Sequence, residues 1–104
     1  MRAHNEGMAD PSLWESRAKS EEARADFLET DLALCNTFTD LFNTELEFGH
    51  RDDAQHTLAT AEEGYATISR FLPSVENPTR RDEIARKLAA LRKALDGMQR
   101  RLRP

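Results

Sequence analysis

Ile84, Leu88, Leu91, Leu95, Met98 and Leu102 recur at alternating steps of four and three along the end of the chain. On a helix of 3.6 residues per turn, that spacing collapses onto one narrow stripe, the seam by which a helix packs on others. From Ser12 to Phe48 there is no Gly or Pro, which predicts a single long helix over about 12–48, reaching about 55 Å at about 1.5 Å per residue. Its apolar positions form two stripes. One runs Trp14, Ala18, Ala25, Leu28, Leu32, Cys35, Thr39, Phe42, Leu46, and the other runs Phe27, Leu34, Phe38, Leu41, Phe48. Two stripes predict that the second half of this helix is covered on more than one side. Ala54, Leu58, Ala61, Tyr65, Ile68 and Leu72 make the inward face of a middle helix over about 51–72.

Local signals set the boundaries. Asp10 before Pro11 reads as an N-cap with Pro at the first helical position, and Ser12 with Glu15 offers a competing capping box. Residues 1–10 carry no periodicity and read as a flexible lead to a single helical domain over 11–104. Gly49 is a helix stop, and Asp52 and Asp53 favour the start of the next helix through its dipole. Gly64 interrupts that helix at about 1 kcal/mol relative to Ala. Beside Ala61 and Ala66, it would permit close approach of a neighbouring helix. Pro73 to Pro78 is the linker, and Thr79, with Asp82 three residues on, is expected to cap a third helix over 79–102. Gly97 is expected to fray its end.

Three helices with short connections predict an all-α, antiparallel up-down-up three-helix bundle with a long first helix. The expected core is Leu28, Leu32, Cys35, Phe42, Leu46, Ala54, Leu58, Ala61, Tyr65, Ile68, Leu72, Ile84, Leu88, Leu91, Leu95 and Met98. The second and third helices are too short to cover the first, so residues 12–27 should overhang with Leu13, Trp14 and Phe27 bare. A bare Trp and Phe need cover: either the first helix bends back on itself or two chains pair through the overhang. A homodimer is the expected answer, because small soluble oligomers are most often twofold dimers and no helix breaker in 12–48 supports a sharp bend.

Charge adds an asymmetry. Residues 79–104 hold nine basic and three acidic residues, while the rest of the chain is strongly acidic and the whole carries −4. This implies a basic helix lying along an acidic body. No apolar run is long enough to span a membrane. The first ten residues lack the apolar stretch of a secretory signal, and Cys35 has no partner for an internal disulfide. Both point to the cytoplasm.

The segment Gly49-His50-Arg51-Asp52-Asp53-Ala54-Gln55-His56-Thr57-Leu58-Ala59-Thr60-Ala61 resembles the tetratricopeptide repeat. Gly49 matches the inter-helix turn, and Ala54, Leu58 and Ala61 match its small, bulky and small positions. Phe38 and Leu41 stand where the repeat has Trp and Leu. The likeness covers residues about 38–61 in a single degenerate copy. It departs at Phe42, Glu45 and Ala66, where the repeat has a small residue, an aromatic and a Pro. A solenoid needs several copies, so the resemblance implies a repeat-like hairpin within a small bundle, as in small uncharacterised bacterial helical proteins. What it implies about function is protein–protein interaction.

Candidate chemistry is sparse. His50, Asp53 and His56 read as solvated residues at a helix start, short of the fixed ligand geometry a metal needs. Cys35 sits on an apolar stripe with no neighbouring base, so it reads as core filler. The carboxylates, Glu21, Glu22, Glu29, Asp31, Asp40, Glu45, Glu47, Glu62 and Glu63 among them, read as charged helix faces. The pair of Glu-x-x-His motifs of a di-metal bundle is not present. Isolated glycines build no phosphate loop or nucleophile elbow. The expected function is a non-enzymatic, self-associating protein-interaction module with no cofactor. The alternative is binding of nucleic acid or anionic lipid through Arg80, Arg81, Arg86, Arg92, Arg100 and Arg101.

Overall fold

The computed structural model describes the backbone of residues 11–104 and the side chains of 16, 17 and 19–104. Three helices, α1 (Pro11–Glu47), α2 (Arg51–Phe71) and α3 (Pro78–Leu102), pack mutually, with one 3-10 turn at Leu72–Ser74. No strand occurs among the described residues. The bundle is the predicted all-α up-down-up arrangement. α2 runs antiparallel to α1, with Thr57 meeting Glu45 near the turn and Ala61 meeting Cys35 further along. α3 returns parallel to α1, from Arg80 beside Asp26 to Arg101 beside Asn43. The lead 1–10 lies outside the described residues, as do the side chains of Leu13, Trp14 and Ala18 and the Ser12–Glu15 capping box.

α1 is one continuous helix. It ends in a Schellman turn: Gly49 takes φ +78°, its N–H donates to Leu46, and the His50 N–H donates to Glu45. Glycine adopts that left-handed backbone without a steric penalty, so the chain reverses there. α2 starts at His50 without a side-chain cap, but with Asp52 and Asp53 in its first turn.

The cap of α3 differs from the expectation at Thr79. Asn77 is the N-cap: its Oδ1 accepts from the Arg80 N–H at 3.0 Å, and Pro78 occupies the first helical position. An Asn-Pro pair satisfies both preferences two residues earlier than Thr79 could. Gly97 does not interrupt α3, which continues to Leu102.

The core follows the first stripe of α1, the inward face of α2 and the 4-3 seam of α3. Leu46, Tyr65 and Leu72, expected in it, are only partly buried at its margin. Ala25, Val75 and Thr57 are buried in addition. Val75 is the informative one. The connection after α2 does not swing free but closes onto α1, where the Glu76 N–H donates to Glu21 Oε1 at 2.9 Å and Arg24 donates to the Ser74 carbonyl at 3.1 Å. Cover of α1 therefore begins near residue 21, so the overhang is shorter than the expected 12–27.

The second stripe of α1 corrects the sequence reading. Apart from Phe38, which packs against the core margin, it is not covered by the other helices: Phe27, Leu34, Leu41 and Phe48 are exposed.

Candidate interaction surface on the outer face of α1

Phe27, Leu34, Leu41 and Phe48 are 59%, 51%, 44% and 69% exposed, and each is seven residues from the next. Seven residues are nearly two helical turns, so the four form one file along α1. The core file of Leu28, Leu32, Cys35 and Phe42 lies on the opposite side of the same helix. Three residues after each of the first three large side chains stands a threonine: Thr30, Thr37 and Thr44, all exposed. Together the large and small residues alternate at steps of three and four, the spacing of a helix-packing seam.

The threonines suit such a seam. Thr37 Oγ1 donates to the Ala33 carbonyl and Thr44 Oγ1 to the Asp40 carbonyl, each at 3.2 Å. Those two hydroxyls are satisfied by the helix itself, so a partner covering this face would leave neither orphaned. Apolar spacing groups Phe27, Leu34, Leu41 and Phe48 but passes over the threonines, whose own seven-residue repeat is the signal that completes the seam.

Charges flank the seam unevenly. Arg17 and Lys19 lie exposed near its start, and Asp40 and Glu47 lie exposed near its end. Glu45 is part-buried beside them and accepts from Thr57 Oγ1 at 2.7 Å. Of the expected self-association residues, Phe27 belongs to this seam, while the side chains of Leu13 and Trp14 lie outside the described residues.

The six arginines proposed for anions are not gathered into one patch. Arg80 donates to Asp26 and Glu29 of α1 at 2.8 and 2.9 Å. Lys87 reaches the other Glu29 oxygen at 3.0 Å. These two bases, Lys87 first, hold the Glu29 carboxyl below the usual carboxylate range. Arg92 grips Glu62 of α2 with two hydrogen bonds, at 2.9 and 2.7 Å, and stacks over the Tyr65 ring at 4.7 Å. Arg81 donates to the Val75 carbonyl, and Arg101 donates to Asn43 and lies over Phe42. Arg86 and Arg100 are exposed, with no ion pair among the described residues. Arg80 sits at one end of the bundle and Arg101 at the other, more than twenty residues apart on α3, about 30 Å.

The remaining candidates stay structural. Cys35 is buried, and burial, followed by the charge of Asp31, pushes its thiol up, away from a reactive thiolate. His50 and His56 are exposed, and among the described residues no group of three or more His, Cys, Asp or Glu could hold a metal ion. The cleft lined by Asn43, Leu46, Glu47, Arg51 and Arg101 is open and polar. No described helix is long and apolar enough to cross a membrane. No family model, curated protein or solved structure matches the chain.

Proposed function

We propose that the chain is a non-catalytic protein-interaction module whose docking face is the outer seam of α1, and that the face receives an amphipathic helix. The observation that carries this is the file of Phe27, Leu34, Leu41 and Phe48, exposed on a continuous helix whose other side already holds the core. Exposed apolar residues scattered singly are ordinary on a soluble protein, whereas a contiguous file marks a contact surface. Anchors at seven-residue intervals are what a helix laid alongside would read. The likeness of the α1–α2 hairpin to a repeat class that binds proteins supports the same reading. A buried thiol with no disulfide suits a reducing compartment. The anion-binding alternative is weakened by the engagement of Arg80 and Arg92 with carboxylates of the chain itself.

Photocrosslinking tests the docking face. A photoreactive phenylalanine at Leu34, introduced in the native host, should give protein adducts, and the same group at exposed Arg86 should not. A Leu34 probe that yields no adduct overturns the reading.

A further inference from the structure

We propose that the occupant of this face is α1 of a second copy of the chain, running antiparallel, with Leu34 packed against the partner's Thr30. This rests on the docking reading above and names its partner.

The first argument is size. Along the seam, large residues occupy one set of positions, Phe27, Leu34, Leu41 and Phe48, and small ones occupy the other, Ser16, Ala23, Thr30, Thr37 and Thr44. In an antiparallel pair the two sets face each other. Phe27 then meets the partner's Thr37, Leu34 the partner's Thr30, Leu41 the partner's Ala23 and Phe48 the partner's Ser16. Every large side chain has a small one opposite, which is how layers interdigitate, and Ser20, which precedes Phe27 in the large set, faces the partner's Thr44 in a layer of two small residues. A parallel, in-register pair would stack Phe on Phe and Thr on Thr.

The second argument is charge. In the antiparallel register, Lys19 lies beside the partner's Glu47 and Arg17 beside the partner's Glu45. Twofold symmetry doubles both pairs. In a parallel pair the flanks would set Lys19 beside the partner's Arg24, Asp26 beside the partner's Asp31 and Asp40 beside the partner's Glu45, all like-signed and destabilising. The antiparallel register brings Asp26 toward the partner's Asp40, but Asp26 is already held by Arg80 at 2.8 Å. At the twofold axis Asp31 meets the partner's Asp31, a repulsion that gives the arrangement a signature.

The same geometry accounts for the length of α1. Ser16, Arg17, Lys19 and Ser20 are exposed, ahead of the cover that begins near Glu21. Antiparallel pairing lays them along the end of the partner's α1, up to its Gly49 turn.

The test uses the purified full chain. Light scattering after size exclusion should give a dimer at tens of micromolar, and Leu34→Glu with Leu41→Glu should weaken it by about a hundredfold or more, with helical circular dichroism unchanged. Asp31→Asn should tighten it about threefold by relieving the axial repulsion. Chains carrying Ser16→Cys and Phe48→Cys, mixed and oxidised, should join to each other, and Ser16→Cys alone should not join to itself. A monomer overturns the proposal, as does a dimer that survives the double Glu variant or one in which Ser16→Cys links to itself. A monomer whose Leu34 probe still captures another protein removes only the self-pairing. A monomer whose probe captures nothing removes the docking face as well.

Discussion

The sulfur of Cys35 fills the space that a side chain on Gly64 would need: a Cβ there would stand 2.5 Å from Sγ. The same sulfur lies 3.9 Å from the Ala61 carbonyl, one turn earlier on α2, so α1 and α2 approach closely around this contact. Alanine at 64 would gain about 1 kcal/mol of helix propensity. It would also force sulfur or backbone to move, an overpacking that costs about 1–3 kcal/mol. Gly64→Ala should therefore lower stability by about 1 kcal/mol net in urea unfolding. In a Cys35→Ala background, where the obstruction is gone, the same change should raise stability by about 1 kcal/mol. A Gly64→Ala chain more stable than the parent would refute the contact.

The Cys35 thiol should be slow to react. Burial, followed by the charge of Asp31, disfavours its thiolate, and the thiolate is the nucleophile. Iodoacetamide at pH 8, followed by mass spectrometry, should label the folded chain far more slowly than the urea-unfolded chain. Equal rates would place the sulfur outside the core.

Acid should loosen the α1–α3 contact through Glu29. Its carboxyl is held below the usual carboxylate range in the folded chain by Lys87 and Arg80. A depressed folded pKa contributes stability that is present above the unfolded pKa and lost as pH falls through the folded one. Stability should thus decline from about pH 5 downward, the unfolded carboxyl titrating near pH 4.3. Glu29→Gln should flatten part of that decline and leave the chain weaker at pH 7. Thermal unfolding at a series of pH values measures both, and an identical acid limb in the variant would remove Glu29 from the account.

The start of α3 separates two candidate caps. Asn77→Ala should cost about 1 kcal/mol, since the Arg80 N–H loses its acceptor. Thr79→Ala should change stability by less than about 0.5 kcal/mol, as an exposed substitution away from such features. The reverse order in chemical denaturation would restore Thr79 as the cap.

Arg92 should not tolerate lysine. It forms two hydrogen bonds with Glu62, one with Asp96 and a stack on Tyr65, and a lysine can reproduce neither the fork nor the stack. Arg92→Lys should lower stability by about 1 kcal/mol in urea, and no loss would show that the grip is loose.

Much of the bundle was legible in the sequence because helix periodicity and breakers are local signals. The 4-3 seam from Ile84 to Met98 is buried as read, and Gly49 ends α1 where a stop was expected. The cap of α3 was misplaced by two residues because Asn77 and Thr79 are both good caps, and only the path of the preceding chain decides between them. Val75 was missed for a related reason: a lone valine in a proline-bounded linker has no periodicity, and its burial depends on Glu21 and Arg24 meeting that linker from a distant helix. The outer seam is visible in the sequence, but its periodicity points to cover by the chain's own helices, which the structure does not provide. Hydrophobic spacing shows that a face wants cover, but not whether the cover comes from the same chain.

The clasp between residues 74–76 and Glu21–Arg24 has a dynamic consequence. It divides one uninterrupted helix into two regimes of amide protection. Above the clasp, exchange requires opening the whole bundle. Below it, Ser16, Arg17, Lys19 and Ser20 are exposed, and their amides open by simple helix–coil steps. In a dilute, unpartnered chain, the amides of Ser16, Arg17, Lys19 and Ser20 should take up deuterium well before those of Leu28 and Leu32.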